Sequence, residues 1–237
     1  MAVRAILFDK DGTLFDFEAT FGPATAGVIA ALAGDNDALR EEMAARAGFV
    51  LATQRFGEDS VIIAGTAADL AELWSGPLGR TDLPGLAGEI DRLFERLTGE
   101  CATLFPFVPE VLSGLAEMGF VLGVATNDAE AGARNHLRIA GIDKLFSFVC
   151  GYDSGHGAKP GPGMVLAFAD HCKAEPPQVL MVGDSPHDML AGSSAGAQTA
   201  AVLSGLAHDD ALRGLSGHIL QDVRGLPELA GKLSGAH

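Results

Sequence analysis

Short apolar runs and stretches of helical spacing alternate over most of this chain. Residues 5–8 form an apolar run of strand length that ends on Asp9 and Asp11, followed by Gly12 and Thr13. From Pro106 onward the alternation is regular. A helix starts at Val108 and runs through Leu112, Leu115 and Met118 to Gly119, a good residue for a helix C-terminus. A strand is expected over 120–125, a helix over 129–140, and a further strand over 145–150. A Gly-rich loop, 151–163, carries Lys159-Pro160 and leads into a helix over 164–172. A strand over 179–182 precedes Gly183-Asp184-Ser185-Pro186-His187-Asp188 and a helix to about Gly196. Residues 199–203 read as another strand, and Ile219-Leu220 as a short edge strand. Strands alternating with helices predict an α/β fold built on a doubly wound, Rossmann-like parallel sheet.

Residues 16–102 read differently. They contain no good Val/Ile-rich strand, and helical candidates dominate. Residues 17–33 are apolar or small throughout. Asp35 or Asn36 can cap a helix through Leu39, Met43 and Ala47, and Thr66 reads as the cap of a helix over 67–74. Ile90, Leu93, Phe94 and Leu97 mark the apolar face of a helix over 86–101, with Asp91, Arg92, Glu95 and Arg96 on its other side. Gly57, Gly65, Gly76-Pro77 and Pro84-Gly85 read as breaks. The expected organisation is a core of residues 1–15 and 103–237 interrupted by an α-helical insert, 16–102.

Composition narrows the field of functions. The 237 residues are 48% hydrophobic and 20% charged, a globular rather than a disordered balance. The formal net charge of −15 argues against nucleic acid or an anionic membrane surface as partner. A small anionic substrate stays open, because local donors and a metal decide that. Cys101, Cys150 and Cys172 are scattered and lack metal-ligand spacing, so reduced thiols are expected. No charged n-region followed by an apolar h-region opens the sequence, and no apolar run has membrane-spanning length, so the expected location is the cytoplasm.

Two carboxylates at the end of a buried strand cost free energy unless a cation or donors compensate them. Fold stability asks for no such arrangement; phosphoryl transfer does. One carboxylate can attack phosphorus and become an aspartyl phosphate, while the other protonates the leaving oxygen and later activates water. A turn at Gly12 breaks strand alternation, so both acids can face one pocket. A divalent cation would offset their repulsion from phosphate, and Mg2+ prefers hard oxygen ligands. The same residues are also compatible with a turn built on Asp and Gly.

Three downstream stretches extend the constellation. Thr126 follows an apolar run and can donate to a phosphate oxygen, while Asn127 and Asp128 open a helix whose amides favour an anion; taken by itself, Thr126 reads first as a cap. Lys159, one of five lysines, can neutralise a nucleophilic carboxylate and a phosphate together, or be solvated. Asp184 suits a direct metal ligand, and Asp188, one turn on, can hold a metal-bound water or orient Lys159. Asp184 or Ser185 also reads as a cap beside Pro186 at the first helical position. Asp9, Asp11, Thr126, Asp184 and Asp188 all fall at carboxyl ends of expected strands, where doubly wound sheets bind ligands. Whether those ends meet depends on the strand order.

In its four ordered motifs, Asp9-Lys10-Asp11-Gly12-Thr13, Thr126-Asn127, Lys159-Pro160 and Gly183-Asp184 with Asp188, the sequence resembles the haloacid dehalogenase superfamily of phosphohydrolases. The insert resembles the cap domain of its phosphoglycolate-phosphatase-like branch. The resemblance implies Asp9 as nucleophile and Asp11 as general acid and base. It implies Mg2+ held by Asp9, the backbone carbonyl of Asp11, and Asp184, with Asp188 in support. It implies Thr126, Asn127 and Lys159 around the phosphoryl group of a small phosphorylated metabolite, and a cap that closes over the site.

Residue inventory separates sibling reactions. Dehalogenases of the superfamily need no acid at the second position, and Asp11 is present. No lysine occurs between Lys10 and Lys144, which disfavours a Schiff-base phosphonatase, and no histidine precedes His136, which disfavours a phosphosugar mutase. Hydrolysis of a phosphomonoester, phosphoglycolate-like or a sugar phosphate, is the expected reaction; a mutase or a non-catalytic binding or scaffold protein, monomeric or homodimeric, is the alternative. A carboxylate-bearing substrate would call for an arginine, and Arg55, read as lying at a helix end, is the candidate. Phe15, Asp16 and Phe17 read as a hinge and pocket wall, or as packing residues. Lys10 replaces the family's common apolar residue; alternation points it away from both carboxylates, toward a structural or surface role. Asp128 replaces a usual basic residue and puts negative charge near the phosphate side. His156 and His187 lie in active-site loops, as substrate contacts or at the surface.

Overall fold

The structure is a computed structural model that describes residues 1–57, 59–206 and 209–235, with residues 64 and 209 described by their backbone alone. The chain divides into two compact units, one made of Met1–Asp16 and Thr103–His237, the other of Phe17–Ala102. In chain order the strands are β1 (Ala5–Phe8), β2 (Phe49–Val50), β3 (Arg55–Phe56), β4 (Val121–Ala125), β5 (Phe148–Cys150), β6 (Val179–Gly183), β7 (Gln198–Val202) and β8 (His218–Leu220).

In the first unit six strands pair in the order β5-β4-β1-β6-β7-β8, and every pairing is parallel. β1 lies between β4 and β6 in matching register: Phe8 stands beside Val124 on one side and Val182 on the other. Every residue of β1 and β6 is buried, as expected for central strands of a parallel sheet covered on both faces. The outermost strand β8 is only partly buried. Leu7, Met181, Met164, Val165 and Phe168 share one core cluster. Gly123 in β4 makes room for it: a Cβ there would stand 2.5 Å from the Phe168 ring.

The doubly wound parallel sheet expected from the sequence is therefore present, with local differences. Residues 143–145 form a 3-10 turn, because the Leu145 and Phe146 amides bond back to Ile142 and Asp143; the strand expected from 145 begins at Phe148. The helix after β4 spans Glu130–Ile139, and the one after β6 spans Pro186–Ala195.

The second unit is helical, with helices Phe17–Ala33, Asp37–Arg46, Val61–Ala64, Ala67–Leu78 and Leu83–Cys101. Val28, Met43, Trp74, Leu86 and Ile90 form its core, and the Trp74 indole N–H donates to the Met43 carbonyl at 2.9 Å. Two expected breaks are absorbed into helices. Gly76-Pro77 lies in the last turn before Gly79, which closes the helix at φ 65°. Pro84-Gly85 lies in a first turn capped by Asp82, where a missing N–H costs nothing. Among the described residues, no helix is long and apolar enough to cross a membrane.

Candidate active site

Because β4, β1 and β6 are neighbours, their carboxyl ends deliver Thr126, Asp9 and Asp184 to one edge of the sheet. The chain after β1 turns sharply. The Leu14 and Phe15 amides both bond to the Lys10 carbonyl, and Gly12 adopts φ 81°, a left-handed conformation that glycine takes without strain. This turn packs directly on Asp184: a Cβ on Gly12 would lie 2.4 Å from its Oδ2, and the Thr13 hydroxyl donates to its Oδ1 at 3.2 Å. The Ser204 hydroxyl, just beyond β7, ties the turn down by donating to the Gly12 carbonyl at 2.7 Å.

Lys159 is buried between two acids. Its ammonium bonds the Asp9 carboxylate and, at 2.6 Å, Oδ1 of Asp188. Oδ2 of Asp188 accepts from the Ser185 amide at 3.1 Å and hydroxyl at 2.6 Å, in a capping box at the start of Pro186–Ala195. Asn127 fixes the other end of the lysine, since its Oδ1 accepts from the Lys159 N–H and its Nδ2 donates to the Lys159 carbonyl. Thr126 is buried, and its hydroxyl accepts from the Asp128 amide at 3.1 Å.

The electrostatics follow from burial. Desolvation raises the Asp9 carboxyl to about 7, with Lys159 pulling the other way and Asp188 adding to the rise. Burial also pushes Asp184 well above the usual carboxylate range, reinforced by the charges of Asp9 and Asp188. Burial opposes the charge of Lys159, but Asp188 and Asp9 outweigh it and hold the ammonium above its ordinary value.

Asp9, Asp184 and Asp188 each offer an oxygen within 4.8 Å of the others. Three carboxylates face one ammonium there, and hard oxygen donors with uncompensated negative charge fit a divalent cation such as Mg2+. Both oxygens of Asp188 are already engaged by Lys159 and Ser185, which suits it to orienting the lysine. Glycines leave the space this set needs: a Cβ on Gly205 would stand 1.7 Å from Asp184 Oδ2, and one on Gly183 would stand 2.3 Å from Asp188.

The Asp11 side chain turns to Lys10, and here strand alternation misleads. Lys10 is fully buried, not at the surface; its ammonium meets Asp11 at 2.6 and 2.7 Å, Asp128 at 3.3 Å and Nδ1 of His136 at 3.2 Å, and lies 5.7 Å from the centre of the Phe15 ring. The strand ends at Phe8, so the two-residue period no longer governs position 10. Asp128 does not stand as an uncompensated charge beside the phosphate side, because Lys10 answers it. Its unusual sign, together with the unusual Lys10, was the sequence signal for this pair.

The remaining candidates fall elsewhere. Arg55 lies in the second unit on β3 rather than at a helix end: Gln54, at φ 54°, closes a hairpin in which Val50 pairs with Arg55. It is 69% exposed and ion-paired with Glu18 at 2.8 Å. Phe15 is wholly buried and Phe17 stacks on Phe21 at 4.6 Å, so both pack. His187 is exposed, and exposed His156 lines a surface cavity with Glu130, Arg134 and His171. Ser204, Gly205 and His136 are site neighbours that no motif singled out, while Thr13 and Ser185 stood inside the quoted stretches without a role in the site.

Residues 3–196 match the haloacid dehalogenase-like hydrolase family. The phosphoglycolate phosphatase of Haemophilus influenzae is 31% identical over 194 residues, covering 81% of this chain and 82% of that protein. The phosphoglycolate phosphatase of Escherichia coli (strain K12) is 30% identical over 233 residues, covering 89% and 85%. A haloacid dehalogenase-like family hydrolase from Streptococcus pneumoniae, 19% identical, superposes with a TM-score of 0.68 over 96% of this chain and 98% of that one, a likeness of fold. The chain thus belongs to the haloacid dehalogenase-like hydrolases, as a phosphoric monoester hydrolase of the phosphoglycolate-phosphatase-like branch.

Proposed function

We propose that this protein hydrolyses a small phosphomonoester in two steps, through an aspartyl phosphate on Asp9. The observation that carries the reading is the buried Asp9–Lys159–Asp188 chain with Asp184 beside it at the ends of adjacent strands. In the first step an Asp9 oxygen forms a bond to phosphorus, the ester P–O bond breaks, and Asp11 gives its proton to the leaving oxygen. In the second, Asp11 takes a proton from water, the water oxygen attacks phosphorus, and the Asp9–phosphate bond breaks to free inorganic phosphate and the carboxylate. Lys159 favours the ionised form of Asp9 against its burial and, with Thr126 and Asn127, donates to phosphoryl oxygens.

Asp9 and Asp184, with the Asp11 carbonyl, would hold Mg2+, and Asp188 would support them. Bound there, the ion supplies the positive charge that lets two carboxylates and a phosphate share one site. The alcohol released is glycolate-like or a sugar, and the two phosphoglycolate phosphatases to which the chain is similar support the first. Arg55 is the proposed partner for a substrate carboxylate; its exposed pair with Glu18 contributes at most about 1 kcal/mol and leaves the guanidinium exchangeable. The proposed setting is the cytoplasm, as monomer or homodimer.

The test is phosphate release from a panel of phosphoglycolate, sugar phosphates and p-nitrophenyl phosphate, with Mg2+ or with EDTA, for the wild type and Asp9→Asn. Mg2+-dependent turnover that Asp9→Asn lowers by at least about a thousandfold is expected. Equal rates in the two proteins would overturn the mechanism and favour a binding role.

A further inference from the structure

Lys10 has three ammonium hydrogens and three acceptors: the Asp11 carboxylate, Oδ2 of Asp128 and Nδ1 of His136. It is fully buried, whereas Asp11 and Asp128 remain partly open, at 16% and 37% side-chain exposure. Its partners come from three places: the turn after β1, the loop after β4, and the helix Glu130–Ile139. Asp128 is itself anchored, since its Oδ1 accepts from the Ala129 amide at 3.2 Å and its carbonyl accepts from the Tyr152 amide at 3.1 Å. Phe15 covers the cluster, its ring 6.0 Å from the His136 ring.

We propose that Lys10, held by Asp128 and His136, is a positioning residue for Asp11: it fixes the carboxylate that trades protons with the leaving oxygen and with water. This rests on the reading of Asp11 as general acid and base. The physical case is a contrast of fixed and free parts. A partly exposed carboxylate one residue before the left-handed Gly12 would sample several rotamers, and proton transfer needs it within hydrogen-bond reach of the ester oxygen. A bidentate contact from a buried, fully satisfied ammonium removes that freedom. Asp128 and His136 are needed because a lysine with Asp11 alone would keep unsatisfied donor capacity in a buried place. Lys10 and Asp128 thereby act as one charge pair.

The test exploits leaving-group chemistry. The oxygen of an alkyl phosphate is strongly basic and must be protonated to leave; p-nitrophenolate leaves without a proton. The ratio of kcat/KM for the best alkyl phosphate of the panel to that for p-nitrophenyl phosphate therefore reports on the acid alone. Asp11→Asn should lower that ratio by about a hundredfold or more. Lys10→Met should lower it by about ten- to a hundredfold, and Lys10→Arg should recover part of the loss. Lys10→Met leaves two carboxylates without their cation, so Lys10→Met/Asp128→Asn is made alongside it, and folding is checked by circular dichroism; the double variant should fold and keep the low ratio.

If Asp11→Asn leaves the ratio unchanged, the acid–base reading of Asp11 fails and the inference goes with it. If Asp11→Asn lowers the ratio while both folded Lys10 variants slow the two substrates equally, the positioning role is wrong and the acid–base reading stands. If neither Lys10→Met nor the double variant folds, Lys10 is a stability element and the positioning role is likewise overturned.

Discussion

Asn127 grips Lys159 by its backbone: Oδ1 accepts from the lysine N–H at 2.8 Å, and Nδ2 donates to its carbonyl at 2.9 Å. The two residues follow β4 and β5 in the chain, and this pair of bonds joins their loops. The Lys159 ammonium in turn bonds Asp9 and Asp188, so a side chain read from sequence as a substrate contact is also what aims the central cation.

Asn127→Ala removes both bonds and leaves the lysine loop without its clamp. The expected result is a fall in kcat of about ten- to a hundredfold with KM little changed, and a stability loss of about 1–3 kcal/mol. Steady-state kinetics and denaturant unfolding measure the two. A rise in KM with kcat unchanged would instead make Asn127 a ground-state substrate contact.

Asp184 sits in a cradle of glycines, and that cradle sets a prediction about the metal that needs no activity assay. An ion that binds only the folded protein at a hundred times its Kd stabilises it by about 2.7 kcal/mol. Mg2+ should therefore raise the unfolding temperature of the wild type relative to EDTA. Asp184→Asn should abolish that rise by removing a ligand charge. Gly205→Ala should reduce it, because its Cβ would occupy the space of Asp184 Oδ2. Differential scanning calorimetry of the three proteins, with and without Mg2+, checks this; equal shifts in all three would remove Asp184 from the metal site.

His136 gives the pH dependence a sign. Burial, and then the neighbouring Lys10 charge, lower the imidazole to about 4, against about 6.5 when unfolded; the nearby Asp128 opposes this only in part. A histidine held neutral in this way contributes stability that is fully present above pH 6.5 and is lost as pH falls toward 4. The full difference is on the order of 3 kcal/mol. His136→Gln keeps an acceptor for Lys10 but cannot charge. Its disadvantage in urea unfolding should be clear at pH 7.5 and shrink by pH 4.5, other groups being common to both proteins. Parallel curves across that range would show that His136 does not titrate between the states.

What the sequence determined by itself was local or periodic. Apolar runs such as residues 5–8 and 179–182 read as buried strands, and the two acids after the first, Asp9 and Asp11, were visible as a cost that fold stability does not ask for. The helical insert was legible because its apolar spacing repeats every three to four residues, and Thr66 announced its cap by side-chain type, while of Asp35 and Asn36 the structure chose Asn36. What only the tertiary structure decided was which ends meet and where long side chains go. The order β4-β1-β6 is a long-range pairing, and no residue of one strand encodes its neighbour across more than a hundred positions. Beyond a strand end the two-residue period lapses. The direction of Lys10 was therefore set by Asp128 and His136, contributed by a loop and a helix from the middle of the chain, and by the need of a buried ammonium to satisfy all three of its hydrogens.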